Sequence, residues 1–358
     1  MNNPKRILIC PLDWGLGHAT RCIPVIRLLL KKNMEVIIAA DGRPLALLKQ
    51  EFPQLEFIVL KGYNIRYPDS GKMTRKMAFS IPKILKGIKT EHQALKKIIK
   101  EKKIDVVISD NRFGCWNKKI KSIFITHQLM IKSPFAEKLL HRINLRFIKN
   151  YDECWIPDVK GKLSLSGDLS HKYILPENTF FIGPLSRFNN VPQNIKYKYD
   201  AMAIVSGPEP QRSIFEKLIL EQLTQTNLKS IVVRGLTEDH DQKETKNNIE
   251  IVSHLKANEM QEAILNSKII IARSGYSTIM DLATLGKKAI FIPTPGQTEQ
   301  EYLAEILMQK NIIFYQLQKN IDLKEALKEA EKYKGFERIG SGKELEKRIE
   351  NWKRDLRI

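Results

Sequence analysis

Cysteine is scarce in this chain. Cys10, Cys22, Cys115 and Cys154 are the only four, and no two form a CxxC pair. The spacing reads as reduced, mostly buried thiols of a cytoplasmic protein rather than a disulfide framework. No run of 18 apolar residues occurs, so no membrane-spanning helix is expected. The first residues, Met1-Asn-Asn-Pro-Lys-Arg6, lead straight into a strand pattern, and no secretory signal is expected either. There is no low-complexity tract. Acid is the scarcer charge: 40 acidic residues stand against 60 basic ones, for a net +20. Such a surface seeks a polyanion, either nucleic acid or an anionic membrane face. Aromatic-rich strands and nucleic-acid reading motifs are missing, so nucleic acid is not an expected partner. The excess of base is also local. Between Lys72 and Lys103 there are eleven Lys or Arg and two acids, Glu91 and Glu101. A second cluster runs Lys132, Lys138, Arg142, Arg146, Lys149. A lysine-rich proteome would give the same bias.

What is present is a repeated alternation. Arg6–Cys10, Glu35–Ala40, Phe57–Leu60, Asp105–Ser109, Ile123–Thr126 and Cys154–Ile156 are apolar strand patterns, and Ala19–Lys31 is an amphipathic helix pattern between the first two. Continuous apolar strands separated by helices predict a parallel sheet covered on both faces. Pro157–Asn194 is polar and turn-rich and reads as a connection between domains. The alternation then restarts at Ala201–Val205, Ser230–Val233, Ile249–Val252, Lys268–Ile271 and Ala289–Ile292. With 358 residues, two α/β domains are expected: 1–185, then 186–340, with a C-terminal helix over 341–358 packing back on the first.

Loops at the carboxyl ends of such strands are where open parallel sheets bind ligands. The first is Pro11-Leu-Asp-Trp-Gly15-Leu-Gly17-His18, followed at once by the first helix pattern. Gly15 and Gly17 let the backbone approach a ligand, though the third glycine of a dinucleotide fingerprint is missing. His18 can remove a proton near neutral pH; a capping or packing histidine is the plainer reading. Ser206, Gly207 and Arg212 occupy the equivalent place in the second half, in a loop also shaped by two prolines. Asp110, Arg112 and His127 follow strands of the first half and suit an acceptor pocket or simple polar loops. Asp239-His-Asp241 imitates a metal-binding DxD, but no strand ends there, and a solvated loop is expected. No metal site is assigned.

The richest stretch is Ala272-Arg-Ser-Gly-Tyr-Ser-Thr-Ile-Met-Asp281. A buried strand ends at Ser274-Gly275 and a helix begins immediately, which points backbone N–H groups at one spot and attracts phosphate. About one turn later, Asp281 can accept hydrogen bonds from sugar hydroxyls. Pro293 and Gln297–Gln300 follow the next strand.

On Arg273-Ser-Gly, Asp281, Pro293 and Gln300 the chain resembles glycosyltransferase family 28, which includes the enzyme that adds N-acetylglucosamine to the lipid-linked peptidoglycan precursor. The motif match covers 253–306 and, loosely, 11–21. The resemblance implies the GT-B fold: two Rossmann-like, doubly wound α/β domains facing each other across a cleft. It also implies that Asp281 holds the ribose, one methylene shorter than the family's glutamate. Gln300 or Gln297 would meet the donor sugar, Arg273, Ser274 and Gly275 the diphosphate, and Leu255–Asn258 the base; His18 matches the histidine of the family's first loop. Both glycine-rich loops depart from the family pattern, which argues against the peptidoglycan enzyme itself.

The expected activity is therefore inverting, metal-independent transfer of a hexosyl group from a UDP-sugar to a lipid-linked or cell-envelope acceptor. The UDP-sugar is a co-substrate, and no cofactor is expected. A UDP-sugar 2-epimerase of the same fold is the rival; it would need extra carboxylates, for which Asp13 and Asp110 are candidates. Met77–Lys89 and Phe135–Ile148 mix apolar and basic residues at helical spacing, a pattern suited to the inner face of an anionic membrane. The same apolar positions would equally serve as a core stripe.

Overall fold

The computed structural model describes residues 4–62, 73–132, 137–188, 196–236, 242–340 and 342–355. The chain forms two compact units, divided between Ser186 and Arg187, and from Gly340 onward it belongs again to the first.

The first unit holds β1 (Arg6–Pro11), α1 (Leu16–Lys31), β2 (Glu35–Ala40), α2 (Gly42–Glu51), β3 (Glu56–Val59), α3 (Met73–Lys102), β4 (Val106–Asp110), β5 (Lys121–Ile125), α4 (Glu137–Ile148), β6 (Glu153–Ile156), α5 (Asp168–His171) and β7 (Thr179–Phe181). Its sheet is ordered β3-β2-β1-β4-β5-β6-β7, and every pairing is parallel. Residues Ile7 to Cys10 are fully buried, because helices cover both faces and leave no polar side to alternate with. The strand order reverses between β1 and β4, where Pro11 lies beside Asp110. That reversal brings the first glycine loop and the end of β4 together.

The stretch expected as a connection, Pro157–Asn194, is instead part of the first unit up to Ser186. Phe180 and its neighbours form β7, the seventh strand of this sheet. Buried Asp158 organises the approach to it by accepting hydrogen bonds from the amides of Leu165 and Ser166 and from Ser164 Oγ. Its polar, turn-rich composition reflects this carboxylate-centred turn rather than a linker.

The second unit holds β8 (Tyr199–Ile204), α6 (Gln211–Thr224), β9 (Ser230–Val233), β10 (Lys243–Lys246), β11 (Ile249–Val252), α7 (Ala257–Leu265), β12 (Ser267–Ala272), α8 (Tyr276–Leu285), β13 (Lys288–Phe291), α9 (Thr298–Gln309), β14 (Phe314–Tyr315) and α10 (Leu323–Ala330). Its sheet is ordered β10-β11-β9-β8-β12-β13-β14. Only the edge strand β10 is antiparallel; its four residues are all exposed, so it carries no apolar signal. The order reverses between β8 and β12, with Ile204 beside Ala272. The loops after these two strands therefore share one edge of the sheet.

The last helix, α11 (Lys343–Asp355), belongs to the first unit. It buries Leu345, Ile349 and Trp352, and it pairs Glu346 and Glu350 with Lys32 of α1 and Arg348 with Glu153 of β6.

On α4, Leu139 and Ile143 are 60% and 44% exposed, and Lys138, Arg142 and Arg146 are exposed beside them. Leu85 of α3 is also exposed, between exposed Lys83 and Lys86. Phe147 instead turns inward against Phe113, 5.1 Å between ring centroids. The apolar positions of α4 thus divide between core and surface. Phe135 and Asp239–Asp241 lie outside the described residues, as do the side chains of Met77 to Ile81. Among the described residues, no helix is long and apolar enough to cross a membrane.

Candidate functional site

In the first unit, Gly15 adopts φ +108°, and a Cβ there would meet nothing within 4 Å. A side chain is excluded by backbone conformation rather than by crowding, and the loop edge is left open. The turn delivers His18 into the first turns of α1, 2.7 Å from Asp110 at the end of β4. Asp110 is fully buried and takes both Nε and Nη2 of Arg21. Nη1 of Arg21 reaches His127 Nδ1 at 3.1 Å. Of the residues expected here, His18, Asp110 and His127 are therefore brought together, joined by an arginine that the sequence reading did not assign.

Burial raises the Asp110 pKa, but Arg21 and His18 outweigh it and hold the carboxyl at about 2. Burial, and then Arg21, lower the pKa of His18, against the pull of Asp110. The histidine is thus neutral near pH 7, with Nδ1 at the carboxylate and the lone pair on Nε2 available as a base.

Arg112 behaves differently. It is fully buried, paired with Glu91 at 2.5 Å, and donates to the carbonyls of Leu60 and Lys61. It braces loops behind the site, so its charge is already matched.

In the second unit, Gly207 has φ +114° and, like Gly15, open space where a Cβ would be. Ser206 and Gly207 follow β8, and the Arg273–Gly275 turn follows its neighbour β12 at the reversal. Gly275 stands at the start of α8 with no side-chain cap, and a Cβ there would also meet nothing within 4 Å. The positive end of the helix dipole therefore opens onto unfilled space, the geometry that suits a phosphate. Ser274 Oγ donates to the Gln300 carbonyl at 2.7 Å, and Gln300 Oε1 accepts from the Thr294 amide at 2.8 Å. These bonds tie the α8 turn to the start of α9, where Gln297 is the N-terminal cap residue.

Two arginines of this unit are structural in their side chains. Arg273 turns inward, donates to the carbonyls of Ile292, Pro293 and Gln211, and lies over the Phe215 ring at 4.0 Å. Arg212 is held between Glu209 and Glu216, each at 2.5 Å. Asp281, in the second turn of α8, is 8% exposed. Arg187 stands beside it, Nε to Oδ2 3.7 Å. No sequence signal marked Arg187, a lone cation at the end of a polar stretch. Arg21 was more accessible to inference, being one turn after His18 in an otherwise apolar stripe.

Comparison with known proteins bears on both halves. Residues 204–344 match the glycosyltransferase family 28 C-terminal domain, and residues 5–133 match glycosyl transferase family 1. An uncharacterized glycosyltransferase of Methanosarcina acetivorans is 24% identical over 85% of this chain and 84% of its own length. The UDP-N-acetylglucosamine–N-acetylmuramyl-(pentapeptide) pyrophosphoryl-undecaprenol N-acetylglucosamine transferase of Francisella philomiragia is 26% identical over 87% of this chain and 84% of its own. The crystal structure of MurG from Acinetobacter baumannii superposes with a TM-score of 0.55, at 13% identity, over 98% of this chain and all of the other. The chain is a glycosyltransferase of the GT-B fold, and its second half belongs to glycosyltransferase family 28.

Proposed function

We propose that this enzyme is an inverting, metal-independent hexosyltransferase that uses a UDP-sugar and a lipid-linked acceptor. The observation that carries the reading is the open, uncapped start of α8 with Asp281 in its second turn. The helix N-terminus receives the diphosphate, and Asp281 accepts the ribose hydroxyls. The name of the Francisella relative supports both the UDP-N-acetylglucosamine donor and an undecaprenyl-pyrophosphoryl type of acceptor.

In the reaction, His18 Nε2 takes the proton of the acceptor hydroxyl as its oxygen attacks the anomeric carbon. The bond from that carbon to the diphosphate breaks, and UDP leaves with the electron pair. One displacement inverts the anomeric centre. Helix N–H groups arranged beforehand stabilise the charge that develops on the leaving group without a metal ion. Ser206, Gly207, Gln297 and Gln300 line the donor side. The exposed Leu139 and Ile143, set among cations, rest against an anionic membrane surface on the cytoplasmic side, where a lipid-linked acceptor is presented.

Of the two carboxylates that the epimerase reading would use, Asp110 is engaged by Arg21 and His18, whereas Asp13 Oδ1 is buried without a hydrogen-bond partner among the described residues, so that rival rests on Asp13. The test is a nucleotide-sugar screen with product analysis, with and without chelator. Release of UDP and an inverted glycoside only when acceptor is supplied, unaffected by chelator, supports the proposal. Conversion of UDP-N-acetylglucosamine to an epimer without acceptor overturns it.

A further inference from the structure

The four side chains at the end of β4 carry more information than the placement of a base. Arginine has five N–H donors and no acceptor. Where Arg21 Nη1 meets His127 Nδ1 at 3.1 Å, the histidine nitrogen must therefore supply a lone pair. Neutral His127 then carries its proton on Nε2. At His18 the situation reverses. Its Nδ1 faces Asp110 Oδ1 at 2.7 Å and Arg21 Nη2 at 2.9 Å. A lone pair on Nδ1 would oppose an anionic oxygen at the shorter distance, whereas an N–H there donates to it. One N–H of Arg21 Nη2 donates to the same carboxylate oxygen, and its contact with Nδ1 is the longer of the two that Nδ1 makes. Nδ1 of His18 therefore carries the proton and Nε2 the lone pair. One guanidinium, held by two bonds to a fully buried carboxylate, dictates opposite tautomers in two histidines.

We propose that Arg21 is a positioning residue of the transfer reaction, locking His18 as a proton acceptor at Nε2 and His127 as a hydrogen-bond donor at Nε2. The proposal rests on the reading of His18 as base. Its second consequence is electrostatic. The charged or titratable groups facing His18 are Arg21 from α1, Asp110 from β4 and His127 after β5. Asp110 alone would form an imidazolium–carboxylate pair and withdraw His18 from service as a base. Burial disfavours the imidazolium most, and Arg21 adds to it by offsetting that anion.

The chain has seven histidines, few enough for selective 15N-histidine labelling of the whole protein and two-dimensional NMR. In the wild type, His18 is expected to show a protonated Nδ1 and a bare Nε2, and His127 the reverse. His127→Gln and His18→Gln spectra assign the signals. The same tautomer in both residues overturns the proposal without any variant of Arg21. In Arg21→Gln, the His127 preference should vanish and the acid limb of kcat/KM should move up by about one pH unit or more, as expected for loss of a charge in contact. Arg21→Lys should bring the limb part of the way back but not restore the His127 tautomer. An acid limb that stays in place in Arg21→Gln overturns the electrostatic role. If His18→Ala retains full turnover, the base assignment itself has failed, which the tautomer spectrum reports separately.

Discussion

Inside the second unit, Arg187 Nε lies 3.7 Å from Asp281 Oδ2, and each side chain is little more than a tenth exposed. A carboxylate accepts charge-assisted hydrogen bonds from hydroxyls, and these are stronger than neutral ones. Asp281→Ala should therefore weaken UDP binding by about 1.5–3 kcal/mol, the range of a charge-assisted hydrogen bond. Titration calorimetry decides; undiminished affinity in a folded variant would remove Asp281 from the donor site.

His18 predicts a different signature. If His18 is the base of the proposed transfer, it meets the acceptor hydroxyl and not the nucleotide, and His18→Ala should lower kcat by about 10²–10⁴ while UDP still binds. The paired measurement is steady-state turnover beside UDP affinity. Loss of both together would mean that His18 shapes the fold or the donor site.

Asp110 should matter to stability as well as to chemistry. Its folded pKa of about 2 is depressed below that of an unfolded carboxyl. The sign follows: the contribution is complete above the unfolded value and is lost as pH falls through the folded one, so the window runs from about pH 4 down to about 2, with about 2 kcal/mol at stake. Asp110→Asn leaves Arg21 buried without its anion and should be destabilising by about 3–5 kcal/mol. Urea unfolding at neutral pH, and again on acidification, measures both effects. An unchanged midpoint in the variant would contradict the pairing.

The membrane surface is tested through α4. Leu139→Glu with Ile143→Glu replaces the exposed apolar pair and adds like charge to an anionic leaflet, and co-sedimentation with anionic vesicles should fall. Wild-type binding should require anionic lipid and fade as salt rises, because exposed charges are screened. Recovery in the supernatant at low salt, equal with and without such vesicles, would point to a soluble acceptor.

The parallel sheets were legible in the sequence because buried strands such as Ile7–Cys10 are apolar without interruption, and because loops at their carboxyl ends carry glycine. The alternation of apolar runs also located the described strands of both sheets, except β7, β10 and the two-residue β14, to within a residue or two. β10 was not visible, since an exposed edge strand of sequence Lys-Glu-Thr-Lys has no burial to record. β7 was hidden by length: three residues among turn-formers look like a connection until the partner strand is known. At the site, His18, Asp110 and His127 could each be singled out as polar residues after strands. Their union could not, because it depends on Arg21, whose role exists only once β1 and β4 are neighbours. The side chains of Arg112 and Arg273 show the complementary difficulty. A charged residue in a ligand loop has the same sequence signature whether it points at a ligand or braces the loop from behind.

The return of α11 to the first unit bears on how the protein is made. Leu345, Ile349 and Trp352 follow the whole second unit in the chain, yet they are fully or almost fully enclosed in the first, and their helix is ion-paired to α1 and β6. Domains ordinarily complete in the order in which they leave the ribosome. Here the unit begun first can be finished only after the unit begun second has been translated in full. A chain stopped at residue 186 would expose the apolar seat of α11 and should aggregate. One in which residue 186 is joined to residue 340 by a short linker should yield the first unit on its own.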